Sequence, residues 1–70
     1  SETMKNCIEQ MRRERGLTQQ QFATALGVSR QTIISLECGR YNPSILLAHA
    51  IAQFFGTQIE DIFLFEEEEA

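Results

Sequence analysis

The sequence has no tryptophan, one proline (Pro43) and one histidine (His49). With one proline the chain meets few forced breaks, so helices can run uninterrupted. Cysteine occurs twice, at Cys7 and Cys38, far apart and outside any redox-like or ligand-like spacing. With a lone histidine the thiols cannot assemble the four ligands of a zinc site within one chain. A disulfide framework needs more cysteine and a secreted setting. Both thiols are therefore read as free, in a reducing compartment such as the cytoplasm. No apolar run approaches the roughly 20 residues of a membrane span. No basic start followed by an apolar stretch suggests a secretory signal. At 70 residues there is room for one domain and one small core, not for a separate catalytic domain. No nucleophile–base pair, paired-carboxylate pocket or phosphate loop is visible, so an enzyme is not expected, and no cofactor or metal is implied.

What is present is 43% hydrophobic and 23% charged, the balance of a globular chain. The net charge of −4 argues against a polyanionic partner until its distribution is read. Glu66, Glu67, Glu68 and Glu69 form one acidic run, and residues 1–65 carry six Lys/Arg against six Asp/Glu. Between Arg12 and Pro43 five arginines (Arg12, Arg13, Arg15, Arg30, Arg40) face only Glu14 and Glu37, a local excess of +3. Phosphate attraction acts over about a Debye length, roughly 8–10 Å, so placement outweighs the total. The expected organisation is a single domain over 1–65 with an acidic tail at 66–70.

Apolar residues recur at helical spacing, with the punctuation between segments. Met4 to Arg15 reads as a first helix, with Cys7, Ile8 and Met11 inward and Gly16 as its stop. Thr18, with Gln21 three residues on, forms a capping box that opens a second helix ending at Gly27. A left-handed backbone at Gly27 needs no Cβ. Ser29 caps a third helix, which Gly39 terminates; Ser44 opens a fourth, which reaches Phe55. Thr57 with Glu60 resembles another capping box, for a short fifth helix to about Leu64. The stretch Phe63-Leu64-Phe65 has two readings, a continuation of that helix or a short strand.

Counted from Gln19, the fourth, eighth, tenth, fifteenth and eighteenth positions are Phe22, Leu26, Val28, Ile33 and Leu36, all apolar; the fifth is Ala23 and the ninth Gly27. Two helices joined by a tight turn at about 90–120° require this pattern. Ala23 is small where the helices cross, and Gly27 makes the turn. The apolar positions fix the pair to the domain, over about residues 19–38, and turn one face of the third helix outward. That face carries Arg30, Gln31, Thr32 and Ser35, side chains able to hydrogen-bond base edges in a major groove.

The run Leu17-Thr18-Gln19-Gln20-Gln21-Phe22-Ala23, then Leu26-Gly27-Val28-Ser29-Arg30-Gln31-Thr32-Ile33, then Leu36-Glu37, Gly39-Arg40 and Tyr41-Asn42-Pro43-Ser44, resembles the Cro/cI-type (Xre) family of DNA-binding domains. The likeness extends from Met4 to about Phe63. It implies an all-α, five-helix, lambda-repressor-like domain whose third helix enters the major groove of double-stranded DNA. It also implies dimeric repressors acting on paired half-sites. Carried over residue by residue, it gives Gln19 a phosphate contact, Arg30, Gln31 and Ser35 base-reading positions with Thr32 alongside, and Arg40 a backbone contact. Arg12 and Glu37 match a partly buried ion pair between helices one and three. Two residues depart from the family pattern: Cys38, where a polar phosphate-contacting residue is common, and Ile34, a β-branched apolar residue on the outer side of helix three.

Each of these positions also has a plainer reading. Arg30, Gln31 and Ser35 suit an ordinary solvated helix face, as do Arg13 and Arg15. Cys38 reads as an inert thiol, and His49 as a packed or interface residue. Helix four has little polar surface: Ile45, Ala48, Ile51, Ala52 and Phe55 suffice for the core, and Leu46, Ala50 and Phe54 form a second stripe. An apolar helix in so small a domain suggests a partner surface. A homodimer through helix four, helix five and the Phe63–Phe65 end is the economical occupant. A protein partner, as for an antitoxin gripping a toxin, is the rival.

Overall fold

The computed structural model describes residues 5–64, from a two-residue strand β1 (Lys5–Asn6) through five helices to a closing strand β2 (Phe63–Leu64). The helices are α1 (Ile8–Glu14), α2 (Gln19–Leu26), α3 (Arg30–Glu37), α4 (Ile45–Phe55) and α5 (Ile59–Ile62). Phe65 and the acidic tail at 66–70 lie outside the described residues.

Local hydrogen bonds set the helix starts. The Thr18 hydroxyl accepts from the Gln21 N–H at 3.0 Å, and the Gln21 side chain returns an acceptor to the Thr18 N–H at 2.9 Å. Ser29 accepts from the Thr32 N–H at 3.2 Å, and Ser44 from the Leu47 N–H at 3.1 Å. Between α2 and α3 the chain reverses at Gly27, whose φ of +76° belongs to the left-handed region. The Val28 N–H reaches back to the Ala23 carbonyl at 3.0 Å. The tight turn is thereby closed by its own backbone.

The ends of the chain differ from expectation. Residues from Met4 do not all join helix one: Lys5 and Asn6 pair antiparallel with Leu64 and Phe63, so the helix begins at Ile8. The Asn6 side-chain oxygen accepts from the Ile8 N–H at 3.1 Å, and the Cys7 N–H donates to the Ile62 carbonyl at 2.9 Å. Of the two readings of the C-terminal stretch, Phe63–Leu64 adopts the strand. The capping box expected at Thr57 is also corrected. Its hydroxyl bonds the Asp61 carboxylate at 2.9 Å, and α5 starts after Gln58 with no side-chain cap.

The core unites Ile8, Phe22, Ala23, Ile33, Leu36, Ile51, Ala52, Phe55, Ile62 and Phe63. Rings of Phe22, Phe54 and Phe55 lie 5.3 Å apart pairwise, centroid to centroid, in tilted and edge-on arrangements that favour aromatic attraction. Phe54 thus packs inward, although its spacing put it on the outer stripe. Ile45 goes the other way. Expected in the core, it is 78% exposed, as is Leu46, because burial on α4 begins one turn later at Ala48.

Candidate nucleic-acid interface

The turn at Gly27 and the buried side chains of Ile33 and Leu36 determine which side of α3 remains outside. Arg30 and Gln31 occupy its first turn and are both exposed. Thr32 is half-buried, and its hydroxyl stands 3.0 Å from that of Ser29, within the helix cap. Ser35 is half-buried as well, while its carbonyl accepts the Arg40 N–H at 3.1 Å, which brings Arg40 back beside the helix end. Arg40 itself is exposed, and neither it nor Arg30 forms an ion pair among the described residues.

Gln19, the first residue of α2, is half-buried, and its side-chain nitrogen donates to Glu37 at 3.1 Å. Together with Glu9, Arg13, Thr18, Gln20 and Arg30 it walls a shallow depression where α1, α2 and α3 meet. Arg13 is paired along its own helix with Glu9 at 2.7 Å, both well exposed.

The distribution of acids around the helix ends is informative. The first turns of α1 and α5 carry Glu9, and Glu60 with Asp61, whereas those of α2, α3 and α4 carry none. Helix N-termini are positive and usually stabilised by acidic side chains. An arginine in the opening turn of α3 works against that preference. The N-termini of α2 and α3 thus have no acidic residue in their own first turns, although Glu9 and Glu37 lie close to the start of α2. Arg30 adds a positive charge at α3, a setting that can take an external anion.

Beneath this face lies the pair the resemblance implied. Arg12 Nε and Nη2 donate to the two carboxylate oxygens of Glu37 at 2.6 and 3.2 Å, with side chains only 8% and 5% exposed. Arg12 Nη1 donates to the Leu17 carbonyl at 2.7 Å. The hydrogen bond with Glu37 holds the Arg12 pKa above its usual value, against the opposing pull of burial, so the guanidinium stays charged.

Two further residues have structural roles that were not read from the sequence. Arg15 is exposed, in keeping with a solvated face, and its guanidinium also donates to the Phe55 carbonyl at 3.0 Å and the Phe54 carbonyl at 3.5 Å, with the Phe55 ring 5.3 Å away. It closes the negative C-terminus of α4. Asn6 donates to the Leu36 carbonyl at 2.7 Å and so ties β1 to the end of α3. Cys38 is exposed and Cys7 half-buried, both as free thiols; exposed His49 walls a groove with Ala52, Gln53, Thr57 and Ile59. Among the described residues no helix is long and apolar enough to cross a membrane.

A family model described as helix-turn-helix matches residues 8–62. An uncharacterised HTH-type transcriptional regulator of Methanocaldococcus jannaschii is 54% identical over 66 residues, taking in 94% of this chain and 100% of the relative. An immunity repressor protein of Bacillus phage phi105 is 39% identical over 67 residues, spanning 90% of this chain but only 46% of that protein. A crystal structure from Bacteroides fragilis, described as a candidate DNA-binding protein, superposes with a TM-score of 0.73 at 22% identity, covering 86% of this chain and 97% of that one. At that identity the likeness speaks to the fold.

Proposed function

This chain belongs to the helix-turn-helix family of transcriptional regulators, in its Cro/cI (Xre) branch, and from that premise we propose that it is a dimeric, sequence-specific repressor. In this reading α3 of each subunit enters the major groove of one operator half-site, the two lying about 34–36 Å apart or a multiple of it. Arg30 and Gln31 read base edges, with Thr32 and Ser35 behind them. Gln19 contacts a phosphate at the start of α2, and Arg40 contacts the backbone beyond the end of α3. The protein works in the cytoplasm, where its own concentration or a partner protein controls occupancy.

The carrying observation is the outward first turn of α3, with Arg30 and Gln31 exposed beside two helix N-termini that hold no acidic residue. Arginine suits the two acceptors of guanine, and glutamine the acceptor–donor pair of adenine. Thr32 plays a reduced part, since its hydroxyl already has a partner in Ser29. Likeness to a phage immunity repressor over most of this chain supports the repressor role. Exposed Ile45 and Leu46 support a partner surface on α4. A second subunit is the reading adopted, and a toxin-like protein partner is favoured by the same two side chains.

Selection of bound fragments from a random DNA pool tests the proposal. The expected product is one enriched motif repeated as two half-sites. Enrichment of no motif above background, at a salt concentration where the protein is folded, overturns it.

A further inference from the structure

Arg12 and Glu37 balance each other's charge without exhausting the carboxylate. Glu37 Oε1 receives Arg12 Nη2 at 3.2 Å and also Gln19 Nε2 at 3.1 Å. A carboxylate only accepts, so the amide nitrogen of Gln19 must be the end turned toward it. That nitrogen carries two hydrogens. One is committed to Glu37, which restricts the orientations open to the amide. The other is not used by Glu37, and Gln19 is one of the residues lining the depression, with Glu9, Arg13, Thr18, Gln20 and Arg30.

We infer that Glu37 is a positioning residue for DNA binding, which holds the Gln19 amide in the orientation that presents its second N–H to a backbone phosphate. The inference rests on the proposed placing of DNA against α2 and α3. A glutamine side chain in water samples many rotamers, and ordering it on binding subtracts from affinity. Tethered to a carboxylate that is itself held by two arginine donors, Gln19 is ordered before DNA arrives. Arg12 also cancels the negative charge that would otherwise stand behind the phosphate. The ion pair, structural by its burial, thereby becomes part of the binding surface through one neutral side chain.

The test is a double-mutant cycle on the selected operator. Affinity is measured for the parent, Gln19→Ala, Arg12→Met/Glu37→Leu, and all three changes together, with melting curves confirming that each protein is folded. Exchanging the pair leaves the net charge unchanged, so the salt dependence should stay the same. Gln19→Ala is expected to weaken binding about tenfold in the parent, the worth of one pre-set hydrogen bond to a charged group. In the pair-exchanged background the loss should shrink to about twofold or less. Arg12→Leu/Glu37→Met gives a second background should the first exchange fail to fold. Methionine offers the Gln19 amide no strong hydrogen-bond partner, which removes the tether. Gln31→Ala serves as the control for the DNA face. Equal losses from Gln19→Ala in every background overturn the inference. So does a silent Gln19→Ala when Gln31→Ala still weakens binding, an outcome that leaves the DNA reading standing. If Gln19→Ala and Gln31→Ala are both silent, the DNA reading fails and takes the inference with it.

Discussion

Replacing Arg12 by Ala removes three side-chain hydrogen bonds at once, two to Glu37 and one to the Leu17 carbonyl. Glu37, with 5% of its side chain exposed, is left with Gln19 as its one remaining side-chain donor among the described residues. Breaking a buried pair from one side costs about 3–5 kcal/mol, mostly because the surviving charge stays desolvated without compensation. A chain of 70 residues is expected to have roughly 4–10 kcal/mol of total stability. The loss is thus a large fraction of the whole. At about 4–8 °C per kcal/mol for a domain of this size, the Tm should fall by at least about 12 °C. The same experiment on Arg12→Met/Glu37→Leu should recover much of the loss, since neither charge then needs solvating. Calorimetry or circular dichroism of the three proteins at one pH suffices. An unaltered Tm for Arg12→Ala would refute the argument. A double variant no more stable than the single one would show that packing, not the stranded charge, carries the cost.

Gln31→Ala should cost about 1–3 kcal/mol on the preferred operator and relax the choice at one base step per half-site, measured against a panel of single-base changes; equal loss on every sequence contradicts base reading. Arg40→Ala should weaken binding to all sequences alike and make the salt dependence shallower by about one unit of slope, and an unchanged slope would remove Arg40 from the phosphate contacts. Ile45→Glu with Leu46→Glu should give monomers in sedimentation and sharply weaker operator binding; a parent protein that is itself monomeric at high micromolar concentration, with and without DNA, rules out the dimer. At Gly27, where φ is +76° and an added Cβ would meet nothing within 4 Å, Gly27→Ala should cost about 1–2 kcal/mol through backbone strain alone. A urea midpoint equal to that of the parent would contradict this.

The helix starts at Thr18, Ser29 and Ser44 and the turn at Gly27 were legible in the sequence because each depends on hydrogen bonds or dihedral preferences within one turn of chain. The apolar spacing from Phe22 to Leu36 likewise carries the crossing of α2 and α3, since one face must be buried for the pair to be stable. Arg30 and Gln31 follow from that spacing, as positions left over when the buried ones are assigned.

Contacts that join distant segments had no such signal. Arg15 reaches carbonyls 39 and 40 residues away, and Asn6 a carbonyl 30 residues away. Each acceptor is a backbone oxygen, identical at every residue, so no side-chain identity marks the partner. The strand at Lys5–Asn6 is two residues long and exists through its pairing with Phe63–Leu64. Helical periodicity put Ile45 inside and Phe54 outside, but periodicity describes a helix surface and not what lies against it. Burial on α4 starts at Ala48, and Phe54 finds Phe22 and Phe55. Gln19 was legible as a polar residue at a helix start; its tether to Glu37 spans 18 residues and arises only where α1, α2 and α3 converge. Local patterns report the free energy of a few bonds along the chain. Which carboxylate meets which amide depends on how the packed helices bring distant residues within 3 Å or so, a distance that no spacing along the chain encodes.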